Sequence, residues 1–378
     1  MPQTLSSSPP PSRWKLWIFR SMALVLALAA GAAGGEWFLR QRQRQISASD
    51  RLDPGLVRYD PMLGWRLQSD WKGNHRHADF SAQYSIDAHG FRRIVSPLPS
   101  APPPRVTAVL GDSFTFGFGV NDDQTFVHLL DAAKSGGMRF RNFAVPGYST
   151  DQQALLLEQG VLPLRPARVL LVVYLGNDLL DNLRPIPLQV RLPKPHFDTG
   201  PSGLTLRNSP VPLQPPSGTP SDSLTAAILG ADPSGWPLRL RFEQRCEIFR
   251  LVSQAWGELR IPAEPLSRRL APAAALCDLI LARMQHECER AGVDLRVVLL
   301  AGKSHAEQPG SLSAQYQEYF RSAVNRAATA RRIATIDLAS PLRTAAATGE
   351  RFFFPNDGHL NPAGHARVAE ILREKLAR

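Results

Sequence analysis

Cysteine is scarce, with three thiols in 378 residues, and that scarcity removes whole classes of chemistry. No CxxC pair occurs, so neither a zinc ribbon nor a dithiol redox site is available. Cys277 and Cys288 stand eleven residues apart on one helix face, where core packing accounts for them, while a single bridge to Cys246 stays open in an oxidising compartment. The glycine-rich stretch GDSFTFGFGV (111–120) does not end in Gly-Lys-Ser/Thr and is a poor fit to a Walker phosphate loop. In the stretch after Gly117 and Gly119, Asp122 occupies the place where a dinucleotide fingerprint needs its third glycine. There is no HExxH and no internal repeat. The formal net charge is +11, yet the excess is mostly single arginines plus a group around the N-terminal apolar stretch (Arg13, Lys15, Arg20, Arg40, Arg42, Arg44). Without basic runs interleaved with aromatics, nucleic acid is not an expected partner.

What is present begins with an address. LWIFRSMALVLALAAGAAGGEWFL (16–39) is long enough to cross a bilayer if Arg20 snorkels and Glu36 sits near the far interface. Trp14, Trp17 and Trp37 mark its two ends as an interfacial aromatic belt would, which favours a retained transmembrane anchor. The competing reading is a cleaved signal peptide, because the uncharged part runs only from Ser21 to Gly35 and ends in small residues. Either way the rest of the chain is expected outside the cytoplasm, on the periplasmic side or the cell surface, or secreted after cleavage. The expected divisions are an anchor with its flanks (1–45), a lead-in segment of short strands packing on the main domain (46–104), and a catalytic domain (105–378) that carries an insert (185–270).

From residue 105 the pattern alternates strand and helix, which predicts a parallel sheet covered on both faces. Strands are expected at 105–110, 138–145, 168–175, 294–301 and 331–339, with helices at 125–133, 152–162, 273–292, 312–329 and from Pro362 onward. RVLLVVYL (168–175) is the most hydrophobic of them, as a central parallel strand should be. The sum is a five-stranded, doubly wound, three-layer α/β/α fold with an insert between the third and fourth strands. That insert is rich in Pro, Ser and Gly from Pro185 to Pro237, and helical spacing resumes at 238–259. Its Trp236, Phe242, Phe249 and Trp256 suit either an apolar lid or the segment's own small core.

Chemistry collects where strands end. GDSFTFGFGV (111–120) follows the first strand, so Ser113 should lie just past a carboxyl end, the edge at which open α/β sheets bind ligands. Taken alone it is also compatible with a glycine-rich turn and a buried serine. NFAVPGYST brings Gly147 to the same edge, where a residue without Cβ lets a backbone N–H approach an oxygen, though Pro-Gly is equally an ordinary turn. YLGNDLLDN brings Asn177, whose amide can donate, and Asp178, which suits bracing of the local turn. In FFFPNDGHLNPAGHARVAEIL, Asn361 is a good N-cap with Pro362 at the first helical position, which leaves His359 in the preceding loop as a candidate base. Asp357 is placed to hold the other ring nitrogen. His365 competes for the base role from the first turn of that helix, and a metal held by Asp357, His359 and His365 is a further alternative.

As a set, GDSF, AVPG, GND and DGHLN resemble the sequence blocks of the SGNH (GDSL-like) hydrolase superfamily, in order, over roughly 105–185 and 292–375. The resemblance implies a flavodoxin-like fold and a serine esterase working through an acyl-serine intermediate without a cofactor. Ser113 would be the nucleophile, His359 the base and Asp357 its partner, with the Ser113 and Gly147 backbones and the Asn177 side chain as the oxyanion hole. In the commoner family pattern the aspartate stands three residues before the histidine, where this chain has Asn356; Asp357 is two before. LGWRL and IDAHGFR in the lead-in look similar to what precedes the GDS block in membrane-linked bacterial members. The expected partners are an ester-bearing small molecule or an acylated glycan, and a membrane through the N-terminal helix. An O-acyltransferase acting on envelope polysaccharide and a non-catalytic glycan-binding domain are the alternatives.

Overall fold

Residues 13–95, 105–133, 137–201, 203–213, 224–229, 232–255 and 263–377 are described by a computed structural model. The chain divides into two units, residues 1–48 with 237–256, and residues 49–236 with 257–378. In the first unit, helix α1 (Arg13–Ser49) buries none of its side chains, and its apolar window has a mean hydropathy of 1.8. By length and composition it can cross a membrane. Further along the chain this unit contains two short helices, Leu238–Glu243 and Glu247–Ala255, where the sequence predicts one. The Glu36 carboxylate accepts from the backbone N–H groups of Glu247 and Ile248, each at 3.1 Å, and so occupies a helix start. Phe242 and Phe249 pack on each other there, with ring centroids 5.5 Å apart. Trp256 lies outside the described residues, and Trp236, which is buried, belongs to the second unit.

The second unit starts with the lead-in strands β1 (Arg51–Leu52), β2 (Val57–Asp60), β3 (Gly64–Leu67), β4 (Lys72–His77) and β5 (Phe80–Ser85). They pair antiparallel as a β1-β4-β5 sheet and a β2-β3 hairpin. The alternating pattern of the segment is that of one covered and one open sheet face: Ala82 and Tyr84 on β5 are buried while Ser81 and Gln83 are exposed.

The main sheet uses β6 (Arg105–Leu110), β7 (Met138–Asn142) and β8 (Arg168–Tyr174). Between them lie α2 (Ser113–Phe116), α3 (Phe126–Ala132) and α4 (Thr150–Leu156), and α5 (Asp178–Asp181) follows β8. β7 stops three residues short of expectation, because the Asn142 side chain accepts from Ala144 N (3.1 Å) and turns the chain out of the ladder.

The insert then contributes the hairpin β9 (His196–Gly200) and β10 (Gly203–Arg207) and helix α6 (Leu224–Leu229); the two helices of the first unit are α7 and α8 in this order. The hairpin is absent from the sequence reading: two five-residue strands between prolines give too short an alternation to register. It is tied down by Lys194, which is fully buried and ion-paired to the equally buried Asp151 of α4.

α9 (Ala263–Ala291), β11 (Asp294–Leu300), α10 (Lys303–Glu307), α11 (Leu312–Ala330), β12 (Ala334–Asp337), α12 (Ala339–Ala347) and α13 (Pro362–Leu376) complete the fold. α9 begins ten residues earlier than its spacing suggests, with Pro272 inside it. All three cysteines are free thiols; Cys277 and Cys288 are buried on α9, where burial pushes both up to about 12.

The five parallel strands stand in the order β7-β6-β8-β11-β12, which in order along the sheet is 2-1-3-4-5, the flavodoxin-like arrangement. Val169 to Val173 on β8 are completely buried, as a strand covered on both faces must be. Strand order reverses between β6 and β8. There the first helices depart to opposite faces and leave a crevice beyond the carboxyl ends, so the chain segments after β6 and β8 are the ones that line it.

Candidate active site

Ser113 sits in that crevice because of two neighbours. The Asp112 side chain accepts from Phe114 N (2.9 Å) and caps the one-turn helix that Ser113 opens. Gly117 ends this helix at φ +87°. Ser113 is partly exposed while Asp112, Phe114 and Phe116 are buried, so only the hydroxyl position of the turn faces solvent.

The histidine arrives from the opposite end of the sequence. Residues 352–361 fold back on themselves through the bonds Phe354 N to His359 O (2.8 Å) and Asn361 N to Phe352 O (2.9 Å). Asn361 caps α13 by accepting from Gly364 N (2.8 Å), with Pro362 in the first turn. His359 Nε2 lies 2.8 Å from Ser113 Oγ, and His359 Nδ1 lies 2.7 Å from Asp357 Oδ1. The same Asp357 oxygen accepts His359 N at 3.0 Å. A spacing of two is short for a carboxylate to reach round to the ring of the residue after next. Gly358, at φ +88°, makes the turn that allows it. The imidazole packs against Phe114 and Phe118, at 4.6 and 5.2 Å between ring centroids.

Electrostatics favour a charged partner behind the ring. Burial pushes the Asp357 carboxyl up, but the hydrogen bonds and charge of His359 outweigh it and hold the group below its ordinary range. Asp112 behaves oppositely: burial raises it to about 6. Asp178, fully buried, is pushed well above the carboxylate range by burial and by Asp112, and accepts from Tyr174 N at 3.0 Å, which is the turn-bracing position expected of it.

Gly147 and Asn177 lie in the segments that follow the carboxyl ends of β7 and β8, as Ser113 lies in the segment that follows β6. Gly147 has φ +81°, and a Cβ there would run into Val190 of the insert. The preceding Pro146 carbonyl accepts from Trp65 Nε1 (3.1 Å) of the lead-in. The Asn177 amide donates to Asp181 Oδ2 at 2.5 Å, and Asp181 Oδ1 accepts from Leu188 N (2.8 Å). One N–H of Asn177 is thereby fixed, which fixes the direction of the other.

His365 is separated from this cluster. Its side chain is completely buried, stacks on Phe126, and accepts from Phe126 N through Nδ1 (3.2 Å). Burial lowers it to about 3, so it is a neutral core residue. Asp357, His359 and His365 therefore do not converge, and among the described residues no group of three His, Cys, Asp or Glu is placed to hold a metal ion. Sequence reasoning did not find Asp79, Asp181 or Lys303, all of which bond to residues of the site or its loops. Asp79 lies in a tight hairpin turn, where an acid reads as a turn former.

Ser113, His359 and Asp357 thus stand in one hydrogen-bonded line beyond the carboxyl ends of a 2-1-3-4-5 sheet. The sequence model of the GDSL-like lipase/acylhydrolase family matches residues 109–367, and the chain belongs to that family. Among curated protein sequences none matches. Similar solved structures include a lipolytic protein of the G-D-S-L family from Veillonella parvula (13% identity, 72% of this chain and 98% of that one, TM-score 0.37). Two others are a lipase/acylhydrolase from Enterococcus faecalis (14%, 72% and 95%, 0.39) and an acetylxylan esterase from Geobacillus stearothermophilus (11%, 71% and 93%, 0.40). Membership in the family rests on the sequence match over residues 109–367.

Proposed function

We propose that this protein is a serine esterase that cleaves carboxylic esters through an acyl-serine intermediate. The observation that carries the reading is the continuous path from Ser113 Oγ to His359 Nε2 (2.8 Å) and from His359 Nδ1 to Asp357 (2.7 Å). Ser113 Oγ attacks the ester carbonyl while its proton passes to His359 Nε2. Asp357 stabilises the imidazolium. The Ser113 and Gly147 N–H groups and the free N–H of Asn177 receive the oxyanion. The imidazolium then protonates the leaving alkoxide as its C–O bond breaks, and water repeats the sequence to release the acid. In this reading α1 holds the protein in a membrane with the catalytic domain outside the cytoplasm, acting on a small ester or an acylated glycan there.

The test is hydrolysis of a short-chain aryl ester by purified wild type and Ser113→Ala. The substitution should abolish turnover, and unchanged turnover would refute the nucleophile. Adding glycan acceptors to the same assay distinguishes release of free acid from transfer to a sugar hydroxyl.

A further inference from the structure

The family match begins at residue 109, so the lead-in strands lie outside it. They are nevertheless bonded to both catalytic loops. In the β4–β5 hairpin, Tyr84 Oη accepts from Gly119 N (2.7 Å) in the segment after the nucleophile, and His75 Nδ1 lies 2.7 Å from the same hydroxyl. At the hairpin tip Phe80 packs on Phe354, with centroids 5.0 Å apart. Next to Phe80 in the hairpin turn is Asp79, whose side chain is 5% exposed. Its Oδ2 accepts from Asn356 N (2.7 Å) and Asp357 N (2.9 Å), and its Oδ1 accepts from Asn356 Nδ2 (2.6 Å).

Those three donors belong to the loop that presents Asp357 and His359. On the loop's other side Lys303 Nζ donates to the carbonyls of Pro355 (2.6 Å) and Phe354 (3.4 Å). Thus the N–H groups of the loop end on a carboxylate and its carbonyls on an ammonium, and a segment with exposed Pro355 and Asn356 is held from two directions. Burial pushes the Asp79 carboxyl up, but the N–H groups of Asp357 and Asn356 outweigh it and keep the group below its ordinary value. The position where the commoner family pattern has its aspartate is therefore occupied here by a residue whose side chain is bound to Asp79 and does not face His359.

We propose that Asp79 is a positioning residue for the reaction: by fixing the backbone N–H of Asp357 and both donors of Asn356, it sets the carboxylate that orients His359 against Ser113. The lead-in segment is on this account a working part of the catalytic unit. The inference rests on the triad reading given above.

The test is steady-state kinetics of the full chain with a short-chain aryl ester, comparing Asp79→Ala and Asp79→Asn. A loosened catalytic loop misplaces the base by a fraction of an ångström to an ångström, so Asp79→Ala should lower kcat by roughly 10- to 100-fold with KM within about twofold of wild type. Asp79→Asn should recover kcat to within about threefold. Its carbonyl oxygen can take the two backbone N–H groups and its amide can donate to Asn356 Oδ1 once that amide turns over. In addition, the downfield proton signal of the His359–Asp357 hydrogen bond should broaden in Asp79→Ala and return in Asp79→Asn. A folded Asp79→Ala with kcat within twofold of wild type would overturn the proposal, as would equal losses in the Ala and Asn variants. If Asp79→Ala does not fold, Asn356→Ala, which removes one of the three bonds from the loop side, carries the test. It should lose severalfold in kcat at constant KM, and no change overturns the proposal. Full activity in Ser113→Ala would instead sink the triad reading, whatever Asp79 variants do.

Discussion

Moving the carboxylate by one residue should not be tolerated. In Asp357→Ala, His359 loses the acceptor that takes both its Nδ1 proton (2.7 Å) and its backbone N–H (3.0 Å). The ring is then free to carry its proton on Nε2, where it cannot receive one from Ser113. Loss of this kind of partner costs on the order of 10⁴ in kcat, about 5 kcal/mol of transition-state stabilisation. The informative variant is the double one, Asp357→Ala with Asn356→Asp, which restores the commoner family spacing. It should not rescue. The side chain at 356 is directed to Asp79, with Nδ2 at 2.6 Å from Oδ1, and a carboxylate there would face another carboxylate. For two charges about 3 Å apart the repulsion is roughly 1 kcal/mol in a water-like medium and about 5 kcal/mol at an effective dielectric of 20. Position 356 is exposed, so the lower part of that range applies; the repulsion drives the new side chain off Asp79, but the backbone N–H groups of residues 356 and 357 stay bound to Asp79 Oδ2 and hold the loop in its present register. The assay is kcat for a short-chain aryl ester, with thermal melts to verify folding. Recovery by the double variant to within tenfold of wild type would refute the reasoning, because it would mean that the loop re-registers freely.

Two further outcomes are expected. Asn177→Ala should lower kcat by about 10² to 10³ with little change in KM, measured on the same ester, since it removes one oxyanion donor and leaves the nucleophile and base in place. For stability, His365 is held neutral, its value lowered from the ordinary 6.5 to about 3. Between those values the unfolded chain binds more protons than the folded one, so this residue's contribution is lost as pH falls. Wild type should therefore lose ~2 kcal/mol more than His365→Gln between pH 7 and pH 5 in chemical denaturation. Comparison with the variant is essential, because Asp112 and Asp181, both raised to about 6 by burial, act in the opposite direction over the same range.

The main sheet was legible in the sequence because its strands are nearly continuous apolar runs and its helices keep a 3.6-residue period. The edge positions of Ser113, Gly147, Asn177 and His359 followed from the ends of those elements. What was not legible depends on contacts between distant segments. Asp79 and Asn356 are 277 residues apart, and nothing local to either announces the other. Asp181 reads as part of a short polar turn until the Asn177 amide is seen to end on it at 2.5 Å. The β9–β10 hairpin failed for a different reason: its strands are five residues long and set among prolines, so no period emerges. His365, by contrast, was weighed as a base from its place in the first turn of α13, and only its packing against Phe126 separates it from His359.

The central claim is that Ser113 carries the acyl group with His359 as its base. It is tested most directly by incubating the full chain with a fluorophosphonate and locating the adduct by peptide mass spectrometry. The account predicts one adduct, on Ser113, formed rapidly by wild type, absent from Ser113→Ala and slowed at least a hundredfold in His359→Ala, on the order of the loss expected for a missing base. Labelling at another residue, or a rate in His359→Ala equal to that of wild type, would contradict it.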